Sequence, residues 1–145
     1  FVRVMINKPI SGGSLINISS ATTKALVNNH AAYIGTKTGA EALIRCVAND
    51  YGEYGIRANS ISPALTKTPM TEDNFKVPGL AHVFTSRVPL ARLNTSDDVA
   101  AAAVWLASDE AFVTGENMQV NGGLTMRGNP QSDDIYKAIA AGGSS

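Results

Sequence analysis

The sequence has few of the residues on which disulfide bonds and metal centres depend. Its 145 residues include one cysteine, Cys46, and two isolated histidines, His30 and His82. A single thiol forms no internal disulfide, and separate histidines lack the spacing of a metal-binding cluster. We therefore expect no metal site. Low cysteine usage fits a reducing compartment and favours a cytoplasmic protein.

Excess charge of one sign and long apolar runs are also lacking. Twelve basic and twelve acidic residues give a net charge of zero, so nothing favours nucleic acid or an anionic membrane as a partner. No apolar run approaches the ~20 residues that a membrane-spanning helix requires. The composition, 44% hydrophobic and 17% charged, is ordinary for a soluble domain.

A short apolar run is the first positive signal. Residues 14–19 read Ser-Leu-Ile-Asn-Ile-Ser, between a glycine pair and a second serine, Ser20. β-Branched residues bounded by turn formers predict a buried strand. Residues 31–51 contain no proline and carry apolar side chains at helical spacing, which predicts a helix. Residues 1–8, which precede the strand, are interpreted as the end of another helix.

Tyr33 and Lys37 lie four positions apart near the start of the predicted helix, on nearly the same face. A neighbouring ammonium favours ionisation of a phenol, so such a pair can exchange protons near neutral pH. The same spacing also occurs by chance on helices without a catalytic role. Gly35 and Gly39 disfavour the helix, and their small size indicates close packing of either a ligand or another helix.

A second strand is predicted over residues 55–62, ended by Pro63. Strand, helix and strand of these lengths form a right-handed parallel crossover. Ligands bind beyond the carboxyl ends of such strands, where Ser20 and the Pro63 turn lie. An alanine-rich helix over 99–107 and a third strand over 117–121 follow, so the fold class is α/β.

Residues 64–93 show no sustained periodicity and include several prolines, which predicts a long functional or mobile loop. Its apolar side chains indicate a substrate with a hydrophobic part, or packing of the loop onto the body. They are Met70, Phe75, Val77, Leu80, Val83 and Phe84. For the polar segment 127–145, a short helix over 133–141 and a disordered or partner-docked tail are both compatible with the sequence.

Two motifs in this setting resemble the short-chain dehydrogenase/reductase family. They are Gly-x-Leu-Ile-Asn-Ile-Ser-Ser at 13–20 and Tyr-Ile-Gly-Thr-Lys at 33–37. The resemblance implies the C-terminal half of a Rossmann-like, doubly wound parallel sheet, with three strands and crossover helices. Residues 1–123 would form this part of the domain and residues 124–145 a C-terminal tail.

The resemblance also implies a function, the interconversion of a secondary alcohol and a ketone with NAD or NADP. Tyr33 would be the general acid and base, Lys37 would favour its ionisation and bind the nicotinamide ribose, and Ser20 would hold the substrate oxygen. Ser19 is the competing serine, and Ser20 is preferred for its spacing to Tyr33. The implied cofactor-binding residues are Tyr33, Lys37, Pro63, Ala64, Thr66 and Thr68; the implied substrate residues are Ser20, Tyr33 and Met70. Ala64 stands where the family has glycine, a mild departure if its φ is negative.

The family's partners are small hydrophobic alcohols or ketones, and its members form homodimers or homotetramers. Its glycine-rich phosphate-binding turn and its Asn-Asn-Ala-Gly element are absent from this sequence. We therefore expect a fragment that does not turn over alone. One alternative is an interaction module in which the helix over 31–51 pairs with itself or with a full-length subunit. The other is an epimerase or dehydratase that uses a bound cofactor.

Overall fold

Parallel strands alternate with helices along the chain. The computed structural model describes residues 2–6 and 12–142. In these ranges the strands are β1 (Gly13–Ile18), β2 (Ile56–Pro63) and β3 (Asn117–Val120). The helices are α1 (Val2–Ile6), α2 (Ala31–Tyr51), α3 (Leu80–Thr85), α4 (Ser96–Ala107), α5 (Leu124–Arg127) and α6 (Ser132–Gly142). None of the described helices is long and apolar enough to cross a membrane.

The three strands form one parallel sheet in the order β1-β2-β3. Gly13 pairs with Ile56 at one end of the β1–β2 ladder, and Ile18 pairs with Ile61 at the other. β2 is central, and its side chains Ile56 and Ile61 are among the most deeply buried, each 1% exposed or less. This confirms the predicted α/β class and its parallel crossover.

Helices cover both faces of the sheet. Arg57 of β2 donates hydrogen bonds to the carbonyl oxygens of Leu106 and Ser108, at the end of α4, at 2.7 and 2.9 Å. The Ser62 hydroxyl lies 3.4 Å from a carboxylate oxygen of Glu41 on α2. Successive strand residues point to opposite faces. Arg57 and Ser62 therefore face opposite sides, and the sheet lies between α4 and α2.

The predicted boundaries hold to within a few residues. The helix predicted over 31–51 is confirmed as α2 with the same limits. β1 starts and ends one residue before its prediction, β2 extends through Pro63, and β3 ends one residue earlier. Helix α1 confirms the helical interpretation for residues 2–6. Phe1, Asn7 and Lys8 lie outside the described residues.

The loop predicted over 64–93 contains two short helices. A 3₁₀ helix spans Pro69–Lys76, and α3 follows at Leu80–Thr85. The prediction of a loop is wrong for these residues, because helices of eight and six residues are too short to show a repeating apolar pattern. Leu80 is buried at 9% exposure, so this member of the loop packs onto the body.

The C-terminal segment forms a helix that docks on the same domain. α6 spans Ser132–Gly142, which is the helical alternative of the two left open by the sequence. Gln131, just before it, donates a hydrogen bond to the Leu26 carbonyl at 3.1 Å. Arg87 forms an ion pair with Asp134 at 2.8 Å. These contacts tie α6 to the segment that carries α3 and to the loop before α2.

Gly79 allows α6 to approach the start of α3. Its φ is +77°, and an added Cβ would lie 2.8 Å from the Ala138 carbonyl oxygen. An alanine would be strained and would press on the α6 backbone, so we expect Gly79→Ala to lower the free energy of unfolding by about 1 to 2 kcal/mol. Urea unfolding measures the change. Gly52→Ala is the control, because an added Cβ there meets nothing within 4 Å; equal losses in both variants would contradict the explanation.

An ion pair links the first turn of α4 to the segment that precedes it. Arg92 binds both carboxylate oxygens of Asp98, at 2.6 and 2.7 Å. The hydrogen bonds from Arg92, and after them the one from the Thr95 backbone, hold the pKa of Asp98 well below its usual range. A lowered carboxyl pKa stabilises the fold above the unfolded-state value of about 4, and that stabilisation is lost as the pH falls.

We therefore expect the stability advantage of the wild type over Asp98→Asn to be constant near neutral pH and to shrink below pH about 4. Thermal unfolding of both proteins across this range measures the difference. Because the pair is exposed, the effect should also weaken at high salt. An advantage that grew on acidification would contradict the assignment.

Candidate active site

The start of α2 lies against the carboxyl end of β1. The Lys37 ammonium donates a hydrogen bond to the Ile18 carbonyl oxygen at 2.8 Å and lies 5.7 Å from the centre of the Tyr33 ring. Tyr33 is 44% exposed, so its phenol borders solvent. The pairing that the sequence spacing predicts is therefore present, and one of its members is fixed to the strand end.

The loop before α2 sets the position of Tyr33. Asn29 has a left-handed φ of 61°, which asparagine tolerates better than most residues. His30 follows, and its Nδ1 lies 2.7 Å from the Asn28 carbonyl oxygen. The His30 and Tyr33 rings pack edge to face with centres 6.4 Å apart. The sequence indicated only an isolated histidine, and it carried no signal for this contact.

The two serines that follow β1 have different partners. Ser20 is 9% exposed, and its hydroxyl oxygen accepts hydrogen bonds from the Thr22 backbone at 3.3 Å and from the Thr22 hydroxyl at 3.0 Å. Both bonds use Ser20 as the acceptor, so its proton can be donated elsewhere. The Ser19 hydroxyl instead donates to the Glu41 carboxylate. Glu41 was not predicted as a site residue, although it stands one turn beyond Lys37 on the same face.

The turn after β2 accommodates alanine where the family has glycine. Ala64 keeps a negative φ, so its backbone is open to any residue. Its side chain packs against a buried cluster formed by Ala21, Val88 and Leu124. The departure from the family pattern is therefore mild.

Threonine hydroxyls hold the rest of this turn together. Thr66 donates to the Ala64 carbonyl at 2.9 Å, and the Thr68 hydroxyl oxygen lies 3.1 Å from that of Thr71. Thr71 donates in turn to the Thr66 carbonyl at 2.6 Å. Thr68 is only partly buried, and with its neighbours it lines a shallow depression of about 350 Å³ (Lys67, Thr68, Pro69, Glu72).

The predicted site residues thus fall into two groups and one outlier. Lys37, with Tyr33 beside it, lies at the end of β1, which the two serines follow. The second group begins with Pro63, the last residue of the adjacent strand β2, and continues through the turn to Thr68. Met70 is 94% exposed, so the structure does not pack it against either group. Among residues 2–6 and 12–142, no group of three acidic, histidine or cysteine side chains could hold a metal ion.

Comparison with known proteins places this chain in a family. Residues 1–125 match the family model described as enoyl-(acyl carrier protein) reductase. The chain is 40% identical over 124 residues to trans-4-hydroxycyclohexanecarboxylate dehydrogenase of Sinomonas cyclohexanicum, a match that covers 85% of this chain and 45% of the relative.

Solved structures show the same fold. A short-chain type dehydrogenase/reductase from Mycobacterium ulcerans superimposes with a TM-score of 0.85 at 30% identity, over 96% of this chain and 52% of that one. Gluconate 5-dehydrogenase from Burkholderia cenocepacia, in complex with NADP and tartrate, gives 0.80 at 30% identity, over 86% and 48%. The chain thus spans about half the length of the relatives it matches. It belongs to the short-chain dehydrogenase/reductase family.

Proposed function

We propose that the protein containing this chain is an oxidoreductase that interconverts a secondary alcohol and a ketone with NAD or NADP. The observation that carries the proposal is the Tyr33–Lys37 pair, whose ammonium is bonded to the strand end that presents Ser20. The carboxyl edge of a parallel sheet is also where such folds bind their ligands. The dehydrogenase names of the relatives support the same reaction class.

In the proposed reduction, the Tyr33 hydroxyl gives its proton to the carbonyl oxygen, and in the oxidation it takes the alcohol proton back. Ser20 donates a hydrogen bond to the same oxygen as negative charge grows on it. We assign this role to Ser20 rather than Ser19, because the Ser19 proton is already donated to Glu41. The nicotinamide, when bound, supplies or accepts the hydride at the substrate carbon.

The described residues fit the nicotinamide half of a dinucleotide. An ammonium has three N–H donors, and the described contacts of Lys37 use one of them, on Ile18. The other two suit the hydroxyls of a ribose. Beside it, the turn after β2 would hold the cofactor through Pro63, Ala64, Thr66 and Thr68. Either NAD or NADP satisfies these contacts.

The proposed substrate is a small alcohol or ketone with an apolar body. The relative from Sinomonas cyclohexanicum is named for a hydroxylated cyclohexane ring, which supports this class. The exposed apolar side chain of Met70 is proposed as the residue of the 64–93 segment that faces the substrate.

The test is an assay of the full-length protein with NAD and with NADP against a panel of cyclic and open-chain secondary alcohols. Cofactor reduction that depends on the alcohol, with the matching ketone as product, supports the proposal. An epimerised or dehydrated product without net cofactor reduction would replace it with the epimerase or dehydratase alternative. If the protein neither binds NAD or NADP nor turns over any alcohol, the enzyme assignment is overturned.

One surface favours subunit pairing as a second role of this chain. Leu43 on α2 is 68% exposed, and the space above Gly35 and Gly39 is open. An apolar, small-residue helix face of this kind allows close approach of another helix, which supports a homodimer or homotetramer built through α2. Light scattering of the protein and of Leu43→Glu tests it. An unchanged oligomeric mass in the variant would place the contact elsewhere.

A further inference from the structure

A carboxylate on α2 joins the two strand ends of the candidate site. Glu41 accepts a hydrogen bond from the Ser19 hydroxyl, directly after β1. The same oxygen, Oε1, lies 3.4 Å from the Ser62 hydroxyl near the end of β2, a longer and weaker contact. Both serines are buried, at 4% and 0% exposure. One charged side chain thus contacts both strands from the helix that bears Tyr33 and Lys37.

Lys37 and Glu41 contact two consecutive residues at the end of β1. Lys37 binds the carbonyl oxygen of Ile18, and Glu41, one helical turn later, binds the hydroxyl of Ser19. The next residue is Ser20, whose hydroxyl is oriented by Thr22. The two residues before Ser20 are therefore both hydrogen-bonded to side chains of α2, the helix that carries Tyr33.

We propose that Glu41 is a positioning residue for the alcohol–ketone reaction. It acts through Ser19, and more weakly through Ser62, to hold the helix carrying Tyr33 in register with the strand ends that present Ser20 and the Pro63 turn. The inference rests on the proposed function, since it assumes that Tyr33 and Ser20 share a substrate oxygen. An apolar side chain could fill the space without the cost of placing a charge beside buried groups. Hydrogen bonds depend on the orientation of their partners, so bonds to two serines fix how α2 is placed relative to the strand ends, which an apolar contact does not.

Positional errors in such a site are costly, because a displacement of about 1 Å can reduce turnover roughly a hundredfold. We therefore expect Glu41→Leu in the full-length protein to lower kcat by about tenfold to a hundredfold. Glu41→Gln keeps an oxygen acceptor for both serines and should restore most of the loss. Tyr33→Phe is measured in parallel as the reference variant, because it removes the proposed general acid and base directly.

Two readouts separate positioning from a general loss of structure. The Kd for NAD(P), read from nicotinamide fluorescence, should change little in Glu41→Leu. Its thermal unfolding should stay cooperative, with a lower midpoint that remains above the assay temperature, because two buried hydroxyls lose their partner. Ser19→Ala should reproduce most of the loss in kcat and add little to it in the double variant, whereas Ser62→Ala should have the smaller effect. The control is Glu53→Leu, which alters an exposed glutamate beyond the end of α2 and should leave kcat unchanged.

The outcomes are distinct. A normal kcat in Glu41→Leu, with Tyr33→Phe inactive, overturns the role of Glu41 and leaves the proposed function standing. Equal losses in Glu41→Gln and Glu41→Leu also overturn it, because charge rather than hydrogen-bond acceptance would then matter. Full activity in Tyr33→Phe contradicts the proposed function itself.

Discussion

Replacing Tyr33 with phenylalanine in the full-length protein is expected to reduce kcat by about 10²- to 10⁴-fold, the range attributed to general acid–base catalysis. The change removes one hydroxyl from a ring that is 44% exposed and packed against His30, so the fold should be retained. The Kd for the cofactor should stay within about twofold, since the Lys37 ammonium and the turn after β2 are untouched. Steady-state kinetics and nicotinamide fluorescence measure the two effects.

Tyr136→Phe provides the matched control, because this tyrosine is 68% exposed on α6. It should retain wild-type turnover. A Tyr33→Phe variant as active as this control would show that the Tyr33 proton plays no part in the reaction. Equal losses of turnover and of cofactor affinity would instead indicate that the ring positions the cofactor.

Asn59→Ala is expected to lower the free energy of unfolding by about 2 to 4 kcal/mol. Asn59 lies in β2 at 1% exposure and bonds to the loop that precedes β3. Its amide donates to the Val113 carbonyl at 2.8 Å and accepts from the Glu116 backbone at 3.0 Å. Alanine would leave two backbone groups without their partner and would open a small cavity.

Urea unfolding measures the loss, and Asn74→Ala, at an exposed position of the 3₁₀ helix, should stay within about 0.5 kcal/mol of the wild type. Asn59→Asp keeps an acceptor for Glu116 but has no donor for Val113, and it adds a charge at a buried position. It should therefore be at least as destabilising as alanine. A tolerated aspartate would show that water reaches this position.

The parts of the site that follow from local spacing were predictable from the sequence. The pairing of Tyr33 with Lys37 depends on one helical turn, and α2 has clear limits because no proline interrupts residues 31–51. The parallel crossover from β1 through α2 to β2 followed from the order and lengths of these segments. These features depend on the nearest neighbours in the chain, which a single sequence displays directly.

Contacts between distant segments were not predictable. Gly79 is needed because Ala138 approaches it, and the ion pair of Arg87 with Asp134 joins residues that are far apart in sequence. The bond from Ser19 to Glu41 belongs to the same class. A glutamate one turn beyond Lys37 is an ordinary helix residue until the fold places two serines against it.

The alanine at position 64 has a thermodynamic consequence for folding. In the unfolded chain, a glycine at this position would sample left-handed backbone conformations that alanine disfavours. Because Ala64 keeps a negative φ and packs its methyl group against buried residues, the folded turn accommodates it without strain. The alanine therefore reduces the conformational entropy that is lost on folding, which stabilises the fold by about 0.4 to 1 kcal/mol relative to glycine. The turn after β2 thus gains stability through a restriction that acts before the chain folds.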